Sequence, residues 1–139
     1  MQPVTVIIFQ HGFILLFMIK IALADWNQIY CDGLQTMLEQ VDDFRVIIIP
    51  PENFCQEIAN DPSVSILLVD DDLYQSCRDR AERNDKLRSS LKTIILTMDR
   101  NELICPPHGL EVIYKGSGKK EFVRLIRKLA GNVMTIKDI

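Results

Sequence analysis

Short apolar runs alternate along this chain with longer stretches whose apolar positions recur at helical spacing. The runs are Ile19 to Ala24, Phe44 to Ile49, Val64 to Val69, Thr93 to Leu96 and Leu110 to Tyr114. They are too short for buried helices, and the most apolar, Val64 to Val69, predicts a strand covered on both faces. Between them, Asn27 to Gln40 carries a stripe of Ile29, Leu34, Met37, Leu38 and Val41, which predicts a helix. Pro51 to Asn60 predicts a second, opened by Pro51 and burying Phe54, Cys55, Ile58 and Ala59. Leu73 to Ser90 is so charged that only a surface helix suits it. Asp99 to Ile104 has room for a turn or two before Pro106-Pro107, and Lys119 to Ala130 repeats the stripe at Phe122, Leu125, Ile126 and Leu129. Five strands alternating with five helices imply right-handed crossovers and helices on both faces of one sheet. The expected fold is α/β, a doubly wound five-stranded parallel sheet in a flavodoxin-like three-layer sandwich.

The start of the chain does not fit that alternation. Val4 to Phe17 is almost wholly apolar, broken by Thr5, Gln10, His11 and Gly12, and read through to Ala24 it approaches the length of a membrane span. Met1-Gln2-Pro3 carries no basic side chain to orient a signal anchor, and Ile19 to Ala24 is needed as a strand. Residues 1–17 therefore read as an appended apolar extension of unknown role, 18–131 as the domain and 132–139 as a tail, with no membrane span expected.

Composition narrows the function. The 139 residues suffice for one domain, and a net charge of −3 supplies no basic field for nucleic acid. Cys31, Cys55, Cys77 and Cys105 form no CxxC pair, and His11 and His108 lie far apart. Neither a zinc site nor a disulfide framework is expected, and four free thiols in a reducing cytoplasm is the simpler reading. No glycine-rich phosphate loop appears, and no Ser-His or Cys-His pairing suggests an independent enzyme.

Four polar residues close the apolar runs: Asp25, Asp70, Thr97 and Lys115. Singly, each has a plain explanation as a helix cap, a strand end or a surface charge. Gathered on one rim of the sheet, they would be a carboxylate nucleophile, an acidic partner, a hydroxyl and an ammonium. Carboxylates crowded as in Asp70-Asp71-Asp72 need a cation or a proton nearby.

The stretches Ile19-Lys20-Ile21-Ala22-Leu23-Ala24-Asp25, Asp32-Gly33-Leu34, Leu67-Leu68-Val69-Asp70-Asp71-Asp72-Leu73, Ile94-Ile95-Leu96-Thr97-Met98 and Tyr114-Lys115 occur in that order. From Ile19 to about Gly131 the chain resembles the receiver domain of two-component response regulators, most closely the subfamily often joined to a helix-turn-helix output domain. The resemblance implies that Asp70 accepts a phosphoryl group from a histidine kinase or phosphotransfer protein. It also implies that Thr97 is the switch hydroxyl and that Lys115 pairs with a phosphate oxygen. Magnesium would be held by Asp25, Asp70 and the backbone carbonyl of Asp72. The implied protein is regulatory rather than an enzyme, works with a downstream output protein or domain, and presents a partner or homodimer surface around the fourth helix, last strand and last helix.

The chain departs from that pattern. Trp26 stands where the family has a second acid, and an indole offers no acceptor to a metal. Magnesium affinity is expected to fall unless Asp71 or Asp72 compensates, and the alternative role for Trp26 is an apolar lid over the site. The interval from Thr97 to Lys115 is about one helical turn short. The aromatic usually three positions before the lysine is Val112, and Tyr114 is a substitute expected on the strand's opposite face. Two readings stand: a phosphoacceptor receiver, or a phosphorylation-independent pseudo-receiver acting as a protein-protein interaction module.

Overall fold

The computed structural model describes residues 4–9, 12–76, 91–106 and 110–131, the segments up to residue 17 by backbone alone. Strands β1 (Val4–Phe9) and β2 (Gly12–Phe17) pair antiparallel in a two-stranded sheet of their own, so the apolar extension has a regular backbone. Among the described residues, no helix is long and apolar enough to cross a membrane.

The main sheet comprises β3 (Ile19–Ala24), β4 (Phe44–Ile48), β5 (Ile66–Asp70), β6 (Lys92–Thr97) and β7 (Glu111–Tyr114). Its order is β4-β3-β5-β6-β7, with every pair parallel. The order reverses between β3 and β5, the position where open α/β sheets leave a crevice at their carboxyl ends. Helices α1 (Gln28–Leu38), α2 (Phe54–Asn60), α3 (residues 71–76) and α4 (Asn101–Ile104) lie in the crossovers, and α5 (Lys119–Ala130) follows β7. This is the doubly wound α/β architecture that the alternation predicts.

Two apolar layers hold it together. Ile21, Leu23, Leu68 and Leu96 point to one face and pack with Cys31, Leu34 and Leu38 of α1 and Phe122 and Ile126 of α5. Ala22, Leu67, Val69 and Ile95 point to the other and meet Phe54 and Ile58 of α2 with Leu73 of α3. Strand side chains alternate faces, so each central strand feeds both layers. All four of these β3 and β5 leucines and alanines on the alternating register are inaccessible to solvent.

Several local expectations are corrected. Ile29 is 85% exposed and Cys31 takes its place in the stripe, because the Asn27 side chain accepts from the Tyr30 amide and sets where α1 begins. Ala59 is exposed, since the turn Pro51–Asn53 is a 3-10 helix and α2 starts only at Phe54. The thiol reading fails for Cys55, which is disulfide-bonded, whereas Cys31 and Cys105 are free. Spacing along a chain does not report which thiols folding brings together. The continuation of α3 to Ser90 and the tail 132–139 also lie outside the described residues.

Candidate functional site

Each site residue is placed by the end of a strand. Register pairs Ala24 with Val69, Asp70 with Leu96 and Thr97 with Tyr114, and the Lys115 amide donates to the Thr97 carbonyl at 2.8 Å. Asp25, Asp70, Thr97 and Lys115 therefore leave four adjacent strands on one rim. Their apolar predecessors are locked in the two layers, so the rim position of each polar residue follows from the core.

Lys115 is the centre of the arrangement. Its Nζ lies 2.7 Å from Asp25 Oδ2 and 2.7 Å from Asp70 Oδ1. The ammonium thus spans the carboxylates of β3 and β5. Burial disfavours its charge, but the adjoining carboxylates of Asp25 and Asp70 outweigh that and raise its pKa above the ordinary lysine value. Asp25 is 5% exposed; its Oδ1 accepts from the Asn27 amide at 2.8 Å. Its Oδ2 meets the ammonium as an ion pair but makes no hydrogen bond of good geometry.

Asp70 has two duties. Its Oδ2 accepts from the amides of Asp72 and Leu73, at 3.1 and 3.3 Å, so it caps α3 as well as facing Lys115. The plain explanation and the chemical one hold together for this residue. Thr97 is buried, and its hydroxyl accepts from the Asp99 amide at 2.9 Å, turned into its own loop.

The donors expected for magnesium are placed unevenly. Asp25 and Asp70 converge. The Asp72 carbonyl belongs to α3 and accepts from Ser76 Oγ at 2.9 Å, and the Asp72 side chain is exposed. Asp71 accepts from Gln75 Nε2 at 3.4 Å and interacts with Glu102 of α4. The Thr97 hydroxyl favours the charged form of Glu102, but burial and the nearby Asp71 and Asp99 carboxylates prevail, raising its pKa. Trp26 is 61% exposed. Among the described residues, no three acidic, His or Cys side chains come together to hold an ion. The residues present do not complete a magnesium site.

One side chain escaped the sequence reading. Tyr30 of α1 places its ring 5.7 Å from Lys115 Nζ, within the range of a cation–π contact, and its buried hydroxyl has no hydrogen-bond partner among the described residues. Burial, then the Asp25 charge, raises its pKa well above the usual phenol value. No sequence signal marks it, because a tyrosine on an amphipathic helix reads as core. Tyr114 is corrected as well. It stands two positions after Val112, so both lie on one face of β7. Its ring lies 4.8 Å from the Arg100 guanidinium and so close to Gly116 that a Cβ there would collide with it.

Comparison with solved structures decides the fold. A chain in the crystal structure of the phosphorylated P1 domain of CheA3 in complex with CheY6 from R. sphaeroides matches at a TM-score of 0.60 and 17% identity. The match covers 81% of this chain and 96% of that one. A response regulator CheY-like protein from Mesorhizobium loti matches at 0.58 and 15% identity, covering 81% and 98%. The Salmonella typhimurium RcsB response regulator matches at 0.56 and 16% identity, covering 76% of this chain and 56% of that one. The fold is that of receiver domains. No family model and no curated protein matches the sequence. On this receiver fold, Asp25, Asp70, Thr97 and Lys115 occupy the rim at the carboxyl ends of the strands.

Proposed function

We propose that this chain is a receiver module of a phosphorelay in which Asp70 accepts a phosphoryl group. The observation that supports the reading is the 2.7 Å contact of one half-buried ammonium, Lys115, with both Asp25 and Asp70 at the reversal of the sheet. A phosphohistidine of a histidine kinase or phosphotransfer protein is the donor. An Asp70 carboxylate oxygen attacks phosphorus, an O–P bond forms as the P–N bond breaks, and the imidazole leaves after taking up a proton. Lys115 moves from the carboxylate to a phosphoryl oxygen, a charge-assisted contact. The added charge of about −2 draws the Thr97 hydroxyl away from the Asp99 amide. Through β6 that movement reaches α4, where Leu103 and Ile104 are exposed, and biases an output or dimer surface there.

A second reading is a pseudo-receiver that binds partners without phosphorylation. The incomplete metal donor set and the commitment of Asp70 Oδ2 to capping α3 favour it.

Intact-mass measurement after incubation with a small phosphodonor, with and without magnesium, separates the two. A single phosphoryl adduct on the wild type, absent in Asp70→Asn, supports the first. An unchanged mass under conditions that label an ordinary receiver supports the second.

A further inference from the structure

We infer that the Lys115 ammonium is the resident cation of the pocket and takes the place that a divalent ion would fill. This concerns the same pocket as the receiver reading but does not depend on whether Asp70 is phosphorylated. Four observations converge. Lys115 Nζ is 2.7 Å from one oxygen of each carboxylate that could bind a metal. The remaining oxygen of each already accepts from backbone amides, Asn27 for Asp25 and Asp72 with Leu73 for Asp70. The Asp72 carbonyl is taken up by α3 and Ser76 Oγ. Trp26, on the loop after β3, offers an exposed indole without an acceptor.

A hard dication needs several oxygens at short, nearly octahedral distances and sheds its water reluctantly. Here it would have to displace an ammonium from both carboxylates or sit beside it. Tyr30 opposes the displacement. Its ring lies 5.7 Å from Lys115 Nζ, making it a positioning residue for the ammonium. One cation is thus built into the fold, and the site keeps its geometry whether or not magnesium is present.

Magnesium chloride titrated into the full chain tests this, read by calorimetry and by the emission of Trp26, the sole tryptophan. The wild type should give no saturable signal up to about 10 mM, and its melting temperature should agree within about 1 °C between EDTA and magnesium. Lys115→Gln frees both carboxylate oxygens and should gain a saturable response. Trp26→Asp adds an acceptor and should gain one by calorimetry. Circular dichroism confirms that each variant is folded. Tyr30→Leu should gain a partial response that Tyr30→Phe, which keeps the ring, does not. Saturable binding to the wild type that Asp25→Asn removes would overturn the inference, as would silence in both folded gain-of-binding variants. Failure of phosphorylation with these gains intact would count against the receiver reading alone.

Discussion

Both ends of the main sheet bury an acid, but they neutralise it differently. At the amino ends, Asp43 is 1% exposed and faces the guanidinium of Arg127 with two hydrogen bonds of 2.9 Å. Its own carbonyl accepts from the Ile19 amide, and Arg127 lies 5.0 Å from the Phe44 ring centroid. One planar fork meets one carboxylate, so both oxygens accept from the same guanidinium. At the carboxyl ends, Asp25 and Asp70 share the one ammonium of Lys115. That end keeps an excess negative charge and an oxygen, Asp25 Oδ2, without a good hydrogen bond. A closed pair suits a staple between α5 and the start of β4. An unbalanced trio suits a place where charge is to be added or moved.

Breaking each end should show the difference. Arg127→Leu leaves Asp43 buried beside an apolar side chain and should cost about 3 kcal/mol in urea denaturation. The phosphodonor reaction should not change. Lys115→Met should cost about 2 kcal/mol near neutral pH, because two carboxylates lose their shared cation. Asp70→Asn should stay within about 1 kcal/mol of the wild type, since asparagine caps α3 as well and the charge imbalance is relieved. A substitution that abolishes the proposed chemistry with little loss of stability would mark the carboxyl end as the functional one.

The pH dependence sharpens the contrast. Lys115 has its pKa raised above 10.5 in the folded chain, so its contribution is present below that value and is lost as pH climbs through the folded pKa. The alkaline limb of a stability curve should therefore flatten in Lys115→Met. Asp61 has its pKa lowered from 3.8, chiefly by the hydrogen bond from Lys20, 2.8 Å away. Its contribution is present above 3.8 and is lost as pH falls through the lower folded value, so Lys20→Met should lower stability above 3.8 and flatten the acid limb. The smallest effect is expected at Glu102, whose carboxylate lies near Asp71 and Asp99. Glu102→Gln removes that repulsion and should stabilise by a few tenths of a kcal/mol, about a degree in thermal melting.

The sequence carried the site further than it carried the local packing. A polar residue after an apolar run marks where a strand leaves the core, and a parallel sheet puts all such exits on one rim. Asp25, Asp70, Thr97 and Lys115 could therefore be placed together before any coordinates. β3 and α5 have the bounds that their hydrophobic patterns predict. Ile29 was misplaced because a helix's phase depends on its cap, and Asn27 starts α1 where Ile29 faces solvent. The Asp72 carbonyl could not be judged from spacing, since its availability depends on α3 beginning directly after Asp70. Tyr30 and the Cys55 disulfide are tertiary facts without a local pattern.

A double-mutant cycle on Lys115→Met with Asp25→Asn and with Asp70→Asn puts the shared ammonium to the most direct trial. Coupling of about 1 kcal/mol or more to each acid, by chemical denaturation at neutral pH, is the expected result. Additive free energies for either pair would mean that Lys115 does not bridge β3 and β5, and the pocket described here would not exist.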